Sequence, residues 1–150
     1  MSARTPKRLV VADPDKCVGC QLCMAACSAR YGDAGFAHTA IWVHAALDFE
    51  KGFIISVCRA CEDPPCASVC PTKALIPRMG GGVIFRPALC IGCRNCVQAC
   101  ALDAIFWDPV RNKPITCIQC GICAQACPHE VLKLETVSPV GEVECSATTL

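Results

Sequence analysis

The chain has 150 residues, room for one ordinary domain or two very small ones. Its formal net charge is +1 and no basic stripe runs through it, which argues against nucleic acid as the main partner. Hydrophobic residues make up 53%, but that figure counts 17 cysteines, and aromatics are only 5%, so a large aromatic core is not expected.

In chain order, Arg8 to Ala12 reads as a short apolar strand leading into a first cysteine-rich stretch, CVGCQLCMAAC. Gln21 to Ala29 reads as one or two helical turns, and Tyr31 to His38, with Gly32, Asp33 and Gly35, as loop. Ala40 to Ala46 and Gly52 to Val57 are strand candidates around Asp48-Phe49-Glu50-Lys51, a hairpin pattern. Ala74 to Ile76 and Val83 to Arg86 flank a turn with Gly80-Gly81-Gly82, read as flexible. Ala104 to Trp107 and Lys113 to Thr116 flank a third turn, and Val131 to Val137 is a last strand. Residues 138–150 read as a polar, poorly ordered tail, leaving 1–137 as the folded unit. No apolar run reaches the roughly 18 residues needed to cross a bilayer, and the start lacks an apolar signal region. The expectation is a soluble, cytoplasmic chain with no membrane insertion.

One cysteine pattern recurs four times. Cys17, Cys20, Cys23 and Cys27 follow C-x2-C-x2-C-x3-C, as do Cys90, Cys93, Cys96 and Cys100, and again Cys117, Cys120, Cys123 and Cys127. Cys58, Cys61, Cys66 and Cys70 follow the same plan with two residues inserted. So many thiols without a secretory signal do not suit a disulfide scaffold. A [4Fe-4S] cluster needs four thiolates around one compact body. Three come from one tight loop, and the fourth, after x3, points away; in two-cluster bacterial ferredoxins it ligates the other cluster. Pro71 and Pro128 follow the fourth cysteine as in that signature, while Ser28 and Ala101 depart from it. Gly19 and Gly92 sit where the backbone must come close to a cluster. Structural zinc would explain a lone C-x2-C pair but has no use for the third and fourth cysteines at these spacings. The expected cofactors are four [4Fe-4S] clusters, with Leu22, Val69, Val97 and Ile122 packing against them and folding dependent on cluster assembly.

No catalytic constellation accompanies them. His38, His44 and His129 are scattered, and His129 follows a quartet that is already complete. Trp42, Phe106 and Trp107 read as strand packing. Lys16, Arg59, Lys73 and Arg94 lie beside quartet positions, where a positive charge could raise a nearby potential, although the plainer reading of each is a solvated surface charge. Cys145, the odd thiol, is expected to be free and dispensable.

These motifs resemble the four-cluster polyferredoxin subunits of redox enzymes, over about Arg8 to Val137, most closely in CRACEDPPCASVCPTKAL. The resemblance implies a small α+β fold of two interleaved bacterial-ferredoxin-like modules, with short hairpins and short helices around four clusters. It also implies a ligand pairing between the outer quartets, 17–27 and 117–127, and between the inner ones, 58–70 and 90–100. Cys17, Cys20 and Cys23 would share a cluster with Cys127, and Cys117, Cys120 and Cys123 with Cys27. Cys58, Cys61 and Cys66 would share one with Cys100, and Cys90, Cys93 and Cys96 with Cys70. Spacing by itself leaves first-with-second pairing open.

In subunits of the DMSO reductase type the fourth quartet is usually stretched, whereas CIQCGICAQACPHEVLKLE is compact. It resembles the small electron-transfer subunit found with tungsten-dependent aldehyde oxidoreductases. The resemblance implies a non-catalytic subunit that relays single electrons between a larger tungsten or molybdenum enzyme and a second redox partner, such as a flavin/NAD- or ferredoxin-linked subunit. A hydrogenase or carbon monoxide dehydrogenase complex, a free polyferredoxin and a self-stacking chain are the alternatives.

Overall fold

The computed structural model describes residues 5–47 and 52–137. The expected hairpin turn at 48–51, the tail at 138–150 and Cys145 lie outside the described residues. Among the described residues there are four short α-helices and four two-stranded antiparallel ribbons. No helix is long and apolar enough to cross a membrane.

The strands fall close to the predicted segments. β1 (Lys7–Val11) pairs with β8 (Leu132–Thr136), β2 (Ile41–Ala45) with β3 (Phe53–Val57), β4 (Leu75–Pro77) with β5 (Val83–Phe85), and β6 (Phe106–Asp108) with β7 (Lys113–Ile115). Three ribbons are hairpins between sequence neighbours. The fourth joins distant parts of the chain: Leu9 stands opposite Leu134, and the Val137 amide donates to the Pro6 carbonyl at 2.8 Å. Nothing in either strand alone announces this partner. In β2 the alternation decides the face, since Ile41 and Val43 are buried while Trp42 and His44 point outward. Their partners in register are Val57 and Ile55, both buried.

The helices are α1 (Leu22–Ala29), α2 (Pro65–Ser68), α3 (Asn95–Ala99) and α4 (Ile122–Ala126). In each, the third cysteine of a quartet is the second helical residue. Helices α2 and α4 are followed by Cys70-Pro71 and Cys127-Pro128, and a residue before proline is driven out of the helical region, so neither helix can run past its fourth cysteine. After Cys27 the residue is Ser28, and α1 continues to Ala29. A missing proline permits this longer helix without imposing it, since α3 stops at Ala99 although Ala101 follows its fourth cysteine. Ser28 is buried, and its Oγ donates to Asp33 Oδ2 at 3.1 Å and ties the helix end to the following loop.

Two hydrophobic cores form. One gathers Leu9, Met24, Ile41, Val43, Ile55, Val57, Val131 and Leu132 around Cys23, Cys27 and Cys123, with α1 packed on α4. The other gathers Ala67, Leu75, Val83 and Ile105 around Cys96, with α2 packed on α3. The outer quartets share the first core and the inner quartets the second. Of the four aliphatic residues expected to face clusters, Leu22 is 49% and Val69 41% exposed. They precede the third and fourth cysteines of their quartets, on the outward side of the helix. Met24 takes the inward place instead, at 1% exposure.

Candidate cluster sites

The backbone of the four quartets repeats as closely as the sequence. The residue before the second cysteine is left-handed in every loop: Gly19 at φ 70°, Ala60 at 53°, Gly92 at 74° and Gln119 at 59°. In the three loops of identical spacing the residue after the second cysteine is left-handed too, at Gln21, Arg94 and Gly121. Such reversals turn successive N–H groups toward one concave side, where they favour anions. Glycine is needed at two of these positions for a further reason. A Cβ on Gly19 would collide with the Phe53 ring, and one on Gly92 with Asn112. Both glycines thus let the loop lie close against a neighbouring side chain.

The loops and helices bring the cysteines together in four cavities. The first is lined by Cys17, Cys20, Cys23 and Cys127, with Val43, Ile55 and Leu132. The second is lined by Cys27, Cys117, Cys120 and Cys123, with Ile41 and Val57. The third has Cys58, Cys61, Cys66 and Cys100, with Cys117 of the second set also in its wall. The fourth has Cys70, Cys90, Cys93 and Cys96, with Leu75, Phe85 and Trp107. Cavities one and two are joined by α1, which carries Cys23 and Cys27, and three and four by α2 and α3. The shared Cys117 wall joins two and three, so the four lie in series. The second cysteine of every quartet, Cys20, Cys61, Cys93 and Cys120, is exposed, and Cys23, Cys96 and Cys123 are buried.

The donor set fits a polynuclear iron–sulfur body. Each cavity offers four thiols as strong soft ligands, the third with Cys117 as a fifth in its wall. Among the described residues no three cysteine, histidine or acidic side chains converge closely enough to hold a single metal ion. Four sulfurs ringing a space is the geometry of a cage rather than of tetrahedral zinc. His129 reaches the rim of the first cavity, beside a full set of four thiols.

Burial is the main influence on these thiols. It pushes Cys23 and Cys66 up to about 11 and Cys117 and Cys123 up to about 12, and nearby cysteines add to the effect. Cys58 and Cys96 are raised for the same reason. Cys70 goes the other way. Burial opposes its ionisation, but the amides of Leu75, Ala74 and Thr72 and the Thr72 hydroxyl together outweigh it. The fourth cysteines share a device here. Lys73 and Asp103 are left-handed, which folds the next amide back, so that Ala74 donates to Cys70 Sγ at 3.2 Å and Ala104 to Cys100 Sγ at 3.4 Å. Cys27, on the longer α1, is reached instead by the Ala40 amide at 3.3 Å.

Sequence reading missed three residues that support the ligands. Arg30 Nη1 donates to Cys120 Sγ at 3.1 Å while its guanidinium lies 4.4 Å from the Tyr31 ring centre. Gln119 is buried between loops: Oε1 accepts from the Leu9 amide at 2.6 Å and Nε2 donates to the Cys58 carbonyl at 3.4 Å. Thr72 flanks Cys70. Of the four charges singled out from sequence, Arg59 and Arg94 line the third and fourth cavities, whereas Lys16 pairs with Asp13 at 3.4 Å on the surface. Lys73 is exposed and matters through its left-handed backbone. The Gly80–Gly82 turn is not merely flexible. A Cβ on Gly81 would strike the Ala60 carbonyl, and the Gly82 amide donates to the Cys61 carbonyl at 3.0 Å, so this turn braces the second quartet's loop.

A larger cavity than these, about 510 Å³, carries no cysteine. It is bordered by Tyr31, His38, Asp108, Arg111 and Lys113. His38 bridges Asp33 and Asp108 at 3.2 Å on each ring nitrogen, and Lys113 donates to the Cys90 carbonyl.

Comparison with known families agrees with the donor set. The model of the 4Fe-4S dicluster domain matches residues 49–137, more than half of the chain, and that of a 4Fe-4S binding domain matches 14–32. The chain belongs to the 4Fe-4S dicluster domain family. The two matches together take in all four quartets, and sixteen cysteines in four sets fit four [4Fe-4S] clusters. The chain is similar to a tetrathionate reductase subunit of Archaeoglobus fulgidus, 37% identical over 103 residues, which is 67% of this chain and 49% of that protein. It is similar to formate hydrogenlyase subunit 2 of Escherichia coli, 40% identical over 98 residues (65% and 47%). The electron transport protein HydN of Escherichia coli is 39% identical over 113 residues (70% and 64%). The chain thus spans roughly half to two thirds of the length of these curated relatives.

Proposed function

We propose that this chain is a non-catalytic relay that carries single electrons through four [4Fe-4S] clusters, one in each cysteine-lined cavity. The observation that carries the reading is the serial arrangement of those cavities, each with at least four thiols in its wall. The ligand sets are Cys17, Cys20, Cys23 and Cys127; Cys27, Cys117, Cys120 and Cys123; Cys58, Cys61, Cys66 and Cys100; and Cys70, Cys90, Cys93 and Cys96. Bound clusters supply reversible one-electron storage. The protein's residues do the rest. Buried Cys23, Cys96 and Cys123 and the apolar walls keep water off, and the left-handed loops and the Ala40, Ala74 and Ala104 amides aim N–H groups at sulfur. The exposed second cysteines bring each site to the surface, where partners can exchange electrons over a short distance.

The partner proposed is a larger catalytic redox subunit. The names of the relatives, subunits of a tetrathionate reductase and a formate hydrogenlyase and an electron transport protein, support a reductase- or hydrogenase-linked complex. The compact fourth quartet supports a tungsten-dependent aldehyde oxidoreductase. Gentle anaerobic pull-down of the tagged chain, with metal analysis of whatever accompanies it, separates these. Tungsten in a large partner identifies the aldehyde oxidoreductase; molybdenum or nickel identifies the other groups. Iron alone, with no stoichiometric partner, refutes the subunit reading in favour of a free carrier.

A further inference from the structure

The fourth cavity differs from the other three in its wall. Trp107, in β6, lies beside Cys70, Cys90, Cys93 and Cys96. Its Nε1 is fully buried and, among the described residues, is the one buried side-chain nitrogen or oxygen with no hydrogen-bond partner. A buried indole N–H left unmatched is costly, and buried polar atoms in folded proteins are nearly always satisfied. Its partner in register is Pro114, whose ring also lines this cavity and offers no acceptor. The Arg94 guanidinium lies 4.8 Å from the indole ring centre, and Arg94 is the left-handed residue that follows Cys93.

Building on the reading that these four cysteines hold a cluster, we infer that the Trp107 indole N–H donates a hydrogen bond to a sulfur of that cluster. It is a positioning and tuning residue, and it makes the fourth site easier to reduce than it would otherwise be. Reduction adds negative charge to the cluster, so a donor on sulfur stabilises the reduced form more than the oxidised one. The cation over the ring polarises the indole in the same sense. Trp42, the other tryptophan, packs 6.2 Å from the Phe106 ring and lines none of the cysteine cavities, so the effect belongs to one tryptophan and one site.

The test uses the full chain, purified anaerobically with its partner. Trp107→Phe keeps the aromatic body and removes only the donor. Iron content should stay at the wild-type level, while potentiometric titration followed by EPR should show one cluster about tenfold harder to reduce, a fall of about 59 mV for one electron, and the others unmoved. Independently of that variant, chain carrying Trp42→Phe and grown with 15N-indole tryptophan should show weak 15N coupling to one reduced cluster by pulsed EPR. Full iron content with no shift and no 15N coupling overturns the inference and leaves the cluster reading intact. An exchangeable-proton coupling without 15N means a water is the donor and also overturns it. Wild-type chain short of one cubane of iron overturns both readings.

Discussion

Gln119 is the sharpest place to perturb the scaffold without replacing a cysteine. It lies between Cys117 and Cys120, is 3% exposed, and joins β1 to the loop of the second quartet. Gln119→Leu keeps the volume and removes both hydrogen bonds, leaving the Leu9 N–H and the Cys58 carbonyl without partners. A buried polar group stripped of its partner costs about 1–3 kcal/mol. The bond to Leu9 is short, at 2.6 Å, and falls in the middle of that range; the one to Cys58, at 3.4 Å, falls at the bottom. The total is about 2–4 kcal/mol of opening free energy for the β1–β8 ribbon. At about 1.4 kcal/mol per factor of ten, that is roughly 30- to 700-fold faster exchange of the β1 amides. The assay is native-state hydrogen exchange on the cluster-loaded chain under anaerobic conditions, with iron measured on the same sample. Less than a threefold change at β1, with full iron, would refute the assignment of Gln119 as the tie between the two cores.

The other expectations are simpler to read. Gly81→Ala needs a left-handed alanine and drives a Cβ into the Ala60 carbonyl, so the second quartet's loop must shift and the chain should lose about one cubane of iron; unchanged iron would show that the turn does not brace that loop. Met24→Ala empties the centre of the first core and should cost about 2–5 kcal/mol, seen as an earlier thermal loss of visible absorbance. Protons compete with iron for the cysteines. With burial holding Cys23 and Cys66 at about 11 and Cys117 and Cys123 at about 12, vacated thiols are protonated at any ordinary pH. Cluster retention against a chelator should therefore rise steadily from about pH 6 to about pH 9, and a flat profile would contradict thiolate ligation. Cys145→Ser should leave the iron content unchanged, and a lost cluster would place that residue among the ligands.

Much of this protein follows from its sequence. The x2 and x3 spacings dictate one loop and one helical turn per quartet, because three thiols on a tight curl and one at the helix end is the arrangement they allow. Strand positions were readable from apolar segments bounded by glycine, proline and aspartate. What needed the tertiary structure is what depends on residues far apart. Spacing alone could not say that Cys127 lies with the first quartet's loop and Cys100 with the second's. The pairing of β1 with β8, which brings distant segments together, decides the first, and the packing of α2 on α3 decides the second. Leu22 and Val69, inward by expectation, turn outward because helix phase follows from which cysteine faces the cavity. Trp107 read as strand packing, and nothing in the sequence singled out Gln119 or Arg30. Their roles come from a carbonyl, a sulfur and a cavity wall contributed by distant segments, and no local pattern encodes such neighbours.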